Sequence, residues 1–254
     1  MAWGAWEAAI ICPLVFIGGF IDAVAGGGGL VTLPAFMLAS LPVHVAIGTN
    51  KLSAGMGLMI SASRYASRGW VPWRLAIACA ACALVGAQCG VRLALMLDER
   101  TFKLIMLFIL PPTALWVMRG RALSEDLPPL GPVRTHASAM AIALVIGAYD
   151  GAYGPGAGTF MMLALRSVAH LELGEANGVT KVMNTTSCFS SLAVYLINGK
   201  VIVPLGLLAG AFSIAGNWLG ARCFDQGGAK IVRPIMLIVL GAFFVRLIVE
   251  LIMS

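Results

Sequence analysis

The segment Asp22-Ala-Val-Ala-Gly26-Gly27-Gly28-Gly29 interrupts an apolar stretch, and Asp150-Gly-Ala-Tyr-Gly154-Pro155-Gly156-Ala157-Gly158 does the same in the second half of the chain. Four adjacent glycines, or a Gly-Pro-Gly, end a helix rather than tighten its packing, because glycine favours non-helical dihedrals and proline lacks a donor. The apolar sequence must therefore be built from helices broken at two corresponding points. In a membrane chain such breaks are the best sequence pointer to a transporter's binding site.

The membrane assignment comes from composition. Of the 254 residues 60% are hydrophobic and 11% charged, and the mean hydropathy is +0.93, whereas a soluble domain carries about 25% charged residues. The excess of 17 Lys and Arg over 11 Asp and Glu falls between apolar runs, where membrane proteins keep cytoplasmic charge, and does not suggest a nucleic-acid partner. No basic leader with a small-residue cleavage site precedes the first apolar run. Cys79, Cys82 and Cys89 share one predicted helix but have no histidine beside them, so they read as small buried apolar residues. His44, His136 and His170 lie near span ends without a second ligand, and no residue set indicates a metal or a cofactor.

Hydropathy predicts an all-α, polytopic chain with spans at 6–24, 44–63, 73–97, 102–118, 136–153, 174–197, 203–221 and 232–253. Segments 30–40 and 159–168 are too short, at roughly 15 Å or half the hydrocarbon core, and read as half-helices after each glycine loop. At a constant spacing of 130 positions, Ala46, Gly48 and Lys51 match Ala176, Gly178 and Lys181, and Gly86, Gly90 and Arg92 match Gly216, Gly220 and Arg222. Asp22 and Asp150 are 128 apart, so the second copy has gained about two residues in its loop. The domains expected are a first repeat at 1–119, a cytoplasmic linker at 120–135 and a second repeat at 136–254.

Alternate loops hold Arg64, Arg68 and Arg74, then Arg119, Arg121 and Arg134, then Arg222, Lys230 and Arg233; the opposing loops hold only Arg100, Lys103 and Lys200. This asymmetry predicts inverted-topology repeats with the arginine-rich set cytoplasmic and the C-terminus outside. Trp3, Trp6, Trp70 and Trp73 fall at span boundaries and read as interfacial anchors. Gly86, Gly90, Gly216 and Gly220 read as sites of close helix packing.

A charge near the bilayer centre costs about 2.5 to 3.5 kcal/mol on insertion scales, so Asp22, Lys51, Asp150 and Lys181 each need a reason. Half-helices that present free N–H groups, together with the two ammonium groups, would hold a small anion. The expected substrate-binding residues are Gly26, Gly27, Gly28, Gly29, Thr49, Asn50, Lys51, Gly154, Gly156, Gly158, Thr180, Lys181 and Asn184. Asp22 and Asp150 are candidates for proton coupling. The plainer alternative pairs Asp22 with Lys51 and Asp150 with Lys181, each pair within its own half.

The string Gly18-Gly19-Phe-Ile-Asp22-Ala-Val-Ala-Gly-Gly-Gly-Gly-Leu-Val-Thr-Leu-Pro34, with Gly48-Thr49-Asn50-Lys51, Tyr149-Asp150 through Gly158, and Thr180-Lys181, resembles the TauE/SafE family of bacterial permeases, also called sulfite exporters. The second copy, with Gly-Pro-Gly and no Asn before its lysine, is similar to the less characterised branch of that family. The resemblance spans nearly the whole chain and implies a multi-pass carrier of the bacterial inner membrane, not an enzyme, exporting sulfite or an organosulfonate such as sulfoacetate. Two other functions compete with that carrier: an intramembrane aspartyl-type enzyme using Asp22 and Asp150, and a passive anion channel. No Gly-x-x-x-x-Gly-Lys-Ser/Thr or His-Glu-x-x-His string occurs. Monomer and homodimer both stay open.

Overall fold

A computed structural model describes residues 5–97, 128 and 130–227 of the chain. The predicted spans at 102–118 and 232–253, and most of the 120–135 linker, lie outside the described residues. Within them the chain forms helices α1 Ala5–Ala25, α2 Gly29–Leu38, α3 Val43–Ser67 and α4 Trp73–Met96, then α5 Pro132–Ala152, α6 Ala157–Ser167, α7 Leu173–Ile197 and α8 Val203–Gly227. The order of a long helix, a short one and two long ones occurs twice. Helix α5 begins at Pro132, four residues before the expected start of the span at 136, because proline suits the first helical turn, where its missing donor is not needed.

Both predicted breaks are present. Helix α1 stops at Ala25 because Gly26 adopts a φ of +78°, a left-handed dihedral that only glycine takes readily, and a Cβ there would also fall 2.6 Å from the Thr159 nitrogen. Helix α5 likewise ends before Gly154, at +99°. The short helices α2 and α6, of 10 and 11 residues, follow each break as half-helices.

The long helices interlock across the two halves. Gly86 and Gly90 of α4 lie against Leu144 and Ala148 of α5, while Gly216 and Gly220 of α8 lie against Phe16 and Phe20 of α1. From the facing side, Gly147 leaves only 2.8 Å between a notional Cβ and Ala83 Cα, and Gly19 the same distance to the Ser213 carbonyl oxygen. These small residues let the backbones approach closely, the packing expected where lipid removes the hydrophobic drive between helices.

The register of these contacts also fixes direction. As residue numbers rise along α4 they rise along α5, and as they rise along α1 they rise along α8. Helix α3 runs alongside α8 in the same sense, from Gly48 near Lys200 to Arg64 on Asp225. Helix α1 therefore starts at the end of the molecule that carries Lys200, and α5 at the end that carries Arg64, Arg68 and Arg74. Equivalent helices enter from opposite ends.

Among the described residues three helices, Trp6–Ala25, Trp73–Met96 and Val203–Gln226, are long and apolar enough to cross a membrane by length and composition. Helices α3 and α7 are equally long but bury polar residues, Asn50, Lys51 and Ser53 in one and Asn177, Lys181 and Asn184 in the other. Their partners are inside the protein. Trp6 and Trp73 are exposed as anchors would be, whereas Trp70 departs from that reading: its ring packs on Tyr65 and Phe224 at 5.6 and 5.2 Å and covers Gly174.

Gly90→Leu is expected to destabilise the protein by more than the roughly 1–3 kcal/mol typical of an overpacked core, because the clash is with the main chain of Ala148 and Ala152. Gly131→Ala, where nothing among the described residues lies within 4 Å, should melt with the wild type in detergent. Equal melting temperatures for Gly90→Leu and wild type would contradict the packing described.

Candidate functional site

A helix that stops inside a protein leaves carbonyl groups without intrahelical partners, and buried carbonyls need donors. In the last turn of α1, Ala23 O accepts from the Tyr65 hydroxyl at 2.8 Å and the Asn177 amide at 3.4 Å. Ala25 O accepts from the Thr159 hydroxyl at 2.9 Å, and Gly26 O from the Thr159 N–H at 3.1 Å. The Lys181 ammonium donates to Asp22 O. Thr159, Asn177 and Lys181 all belong to the second half of the chain.

The other break is capped in the reciprocal way. Lys51 Nζ donates to Asp150 O at 2.5 Å and to Asp150 Oδ1 at 2.8 Å. Each ammonium thus sits at the negative, C-terminal end of the other half's interrupted helix, where a cation is favoured. The alternative pairing of Asp22 with Lys51 and Asp150 with Lys181 is not formed. The lysines cross between halves because the two glycine loops meet each other, bringing each helix end nearer to the partner's lysine than to its own.

The two aspartates are not held alike. Asp150 is ion-paired to Lys51, with both side chains 3% exposed, and its Oδ2 accepts from the Ser187 hydroxyl. Asp22 makes no ion pair among the described residues; its Oδ1 accepts only from the Gly28 N–H, at 3.3 Å. That bond places the carboxylate at the start of α2.

A cavity opens between these groups. Of the predicted site residues it is lined by Asp22, Gly26, Gly28, Gly29, Asn50, Lys51, Asp150, Gly154, Gly158 and Asn184. Gly27, Thr49, Gly156, Thr180 and Lys181 are not on its wall. Thr49 is fully buried and its hydroxyl accepts the Ile202 N–H at 3.0 Å, joining α3 to the start of α8. Lys181 is fully buried behind the α1 terminus. The two lysines match in sequence, yet one faces the cavity and one does not.

Sequence reasoning missed Gly18, Gly19, Thr32, Ala54, Leu58, Cys188, Ser213 and Asn217, all of which line the cavity. A signal existed for two of them. Ser213 and Asn217 are polar residues four apart on one face of an apolar helix, and the residues 130 positions earlier are Ala83 and Ala87. Gly18 and Gly19 precede the break at Gly26 by about two turns and read as ordinary helix.

Measured at the centres of water-sized spheres, the cavity volume is about 40 Å³. At about 10–15 Å³ for each water on that measure, it has room for roughly three waters or one small oxyanion. Lys51 supplies a cation and the glycine backbone offers close approach. Asn50 and Asn184 add neutral polar groups.

An all-helical bundle with apolar outer faces, whose charged residues converge on a cavity at two broken helices, defines a polytopic integral membrane transporter. Residues 11–247 match the family described as Sulfite exporter TauE/SafE, and the chain belongs to that family. It is 34% identical over 248 residues to the "Probable membrane transporter protein ORF9" of Sinorhizobium sp., covering 95% of this chain and 92% of that one. It is 33% identical over 239 residues to a "Probable membrane transporter protein" of Haemophilus influenzae, covering 91% and 90%. To the "Probable membrane transporter protein YfcA" of Escherichia coli strain K12 it is 30% identical over 245 residues, covering 93% and 88%. No solved structure matches the chain significantly.

Lys51→Met or Asp150→Leu alone leaves an uncompensated buried charge and is expected to cost about 3–5 kcal/mol, whereas the double variant removes both charges and should recover most of that loss. Thermal melts of the three proteins in one detergent measure this. Additive losses in the double variant would mean that the two groups do not pair.

Proposed function

We propose that the protein is a secondary transporter, an exporter, that carries a small anion across the bacterial inner membrane by alternating access between two inverted repeats. The supporting observation is a cavity whose wall comes from both halves of the chain at the meeting point of two broken helices, with the Lys51 ammonium on it. The repeats are taken as residues 1–119 and 136–254 around the 120–135 linker. The opposite starting ends of α1 and α5 support inversion. The grouping of Arg64, Arg68 and Arg222 with Asp225 at one end supports a cytoplasmic assignment for that end.

The substrate class proposed is sulfite or a compact organosulfonate. The family description speaks for sulfite, and the cavity volume favours an anion with few heavy atoms over one with a carbon chain. At the start of α2 the Gly28 N–H is taken by Asp22, which leaves the Gly29 backbone, beside Gly154 and Pro155, to offer an anion the helix N-terminus. The anion site comprises Gly26, Gly28, Gly29, Asn50, Lys51, Gly154, Gly158 and Asn184, with Asp22 as the carboxylate free to take up a coupling cation, of which a proton is one.

The ion pair also speaks against a two-aspartate hydrolase, which needs two carboxylates sharing one proton. Here Lys51 and Ser187 hold Asp150.

Ala54→Phe fills the cavity without touching a charge. It is expected to lower sulfite efflux from proteoliposomes at least tenfold, while the melting temperature in detergent stays within a few degrees of wild type. Counterflow by the wild-type protein, with trans sulfite accelerating tracer exchange, would separate a carrier from a channel. Thermal-shift screening against sulfite, sulfate, thiosulfate, sulfoacetate, taurine and isethionate identifies the anion, since a ligand at 100 times its Kd stabilises by about 2.7 kcal/mol. Unchanged flux in Ala54→Phe would remove the cavity as the transport site.

A further inference from the structure

Asp22 and Asp150 stand at equivalent positions in the sequence, yet the helices that face them differ in chemistry. Opposite the α5 turn that leads to Asp150, α4 presents Ala83 and Ala87, packed against Gly147 and Gly151. Opposite the α1 turn that leads to Asp22, α8 presents Ser213 and Asn217, packed against Gly19, and α2 adds Thr32 against Gly18. Asp150 itself meets Lys51 and Ser187, but α4 presents only alanines to its turn, whereas the residues packed on the Asp22 turn carry the side-chain oxygens of Thr32 and Asn217.

Those oxygens lack partners. Thr32 is 5% exposed and Asn217 1%, both line the cavity, and neither Thr32 Oγ1 nor Asn217 Oδ1 has a hydrogen-bond partner among the described residues. The amide of Asn217 is oriented by its own donation to Ser213 O at 3.0 Å, so the side that faces away from that bond is the carbonyl. Asn50 Oδ1, on the same cavity wall, is also unpartnered. Buried polar atoms are nearly always satisfied, and each exception asks for a cause. The two amide oxygens only accept, so an anion cannot satisfy them, and the Thr32 hydroxyl oxygen has lone pairs free to join them around a cation.

Charge points the same way. Asp22, Asp150, Lys51 and Lys181 are all buried, and their formal charges cancel. An anion that entered alone would bring an uncompensated charge into a low-dielectric interior, which is strongly unfavourable. It needs a cation of equal charge beside it. Both ammonium groups are already committed, Lys51 to Asp150 and Lys181 to the Asp22 carbonyl oxygen.

We propose that the Asp22 end of the cavity is a subsite for an alkali cation, held by the Asp22 carboxylate, Thr32 Oγ1, Asn217 Oδ1 and the Ser213 hydroxyl, which enters together with the anion. Oxygen donors with one formal negative charge suit a hard monovalent cation, and sodium is the natural probe. Among the described residues no group of three or more His, Cys, Asp and Glu occurs that would offer a divalent ion the charge it requires.

The binding half of this inference stands alone; its coupling half rests on the carrier reading above. The test uses the full-length protein in two assays at fixed pH. In detergent without sulfite, with chloride as the small anion in every sample, sodium or potassium chloride should raise the melting temperature relative to choline chloride at equal ionic strength. Thr32→Val and Asn217→Ala should melt like wild type in choline but need at least tenfold more cation for half the shift. In proteoliposomes with the membrane potential clamped, an alkali-cation gradient should drive sulfite flux in the wild type, and the two variants should lose that dependence.

No cation-specific shift, or an equal shift in both variants, overturns the subsite. Sulfite flux that ignores alkali cations and follows a proton gradient overturns it too, and leaves the carrier standing. A cation-specific shift that the variants lose, with no wild-type flux of any anion under any gradient, supports the subsite and refutes the carrier reading instead.

Discussion

Each broken helix is finished by a lysine from the other half of the chain. A helix that ends within an apolar protein exposes carbonyl groups at the negative end of its dipole, and without donors such an end could not stay buried. Lys51 meets that need for α5 and Lys181 for α1. The same two contacts do two things. They let the glycine loops exist at depth, and they tie the halves together at the point where the loops touch through Gly26 and Thr159. The close packing of α1 on α8 and α4 on α5 places the loops there, and the cavity forms as the space between the crossed caps.

The backbone repeats, while the side chains around the cavity do not. The glycines at the helix crossings occur in both halves, and so do the lysine caps. Asp150, paired with Lys51 and Ser187, serves to hold the halves in place. Asp22 keeps a carboxylate facing the cavity with a single long hydrogen bond. A protein built from two copies of one unit gains a structural framework from the positions that stay alike, and its site chemistry from those that diverge. Ser213 and Asn217, where the first half has alanines, are the clearest divergence.

Much of this was legible in the sequence because glycine, proline and charge have few uses in an apolar chain. The breaks at Gly26 and Gly154, the half-helices after them and the close packing at Gly86, Gly90, Gly216 and Gly220 all follow from local chemistry. The partner of each lysine does not. Spacing along the chain favours Asp22 with Lys51, and only the meeting of the two loops reverses it. The same limit explains the site. Lys51 and Lys181 occupy matching positions in the two copies, and which one reaches the cavity depends on the α1 terminus that Lys181 caps through Asp22 O. Thr32, Leu58 and Cys188 look like ordinary helix residues until the surrounding helices enclose the cavity.

The two ends of the molecule are closed by different chemistry. At one end Asp225, 4% exposed, accepts from Arg64 at 2.6 Å and Arg68 at 3.1 Å, joining the last turns of α3 and α8 beside the Tyr65, Trp70 and Phe224 rings. The positions 130 away are Val194, Asn198 and Leu95, and Asn198 donates only to its own helix, at Val194 O. No counterpart ion pair exists there among the described residues. Separating α3 from α8 at the arginine end must expose a buried carboxylate and break a two-arginine clamp. Among the described residues, separating the equivalent helices α7 and α4 breaks no ion pair, only apolar contacts and the neutral hydrogen bonds that link Ser190 to Gln88 and Leu84. In the proposed carrier the two access states would therefore differ in energy before any ligand binds, and the bound anion and its companion cation would have to offset that difference for the arginine end to open.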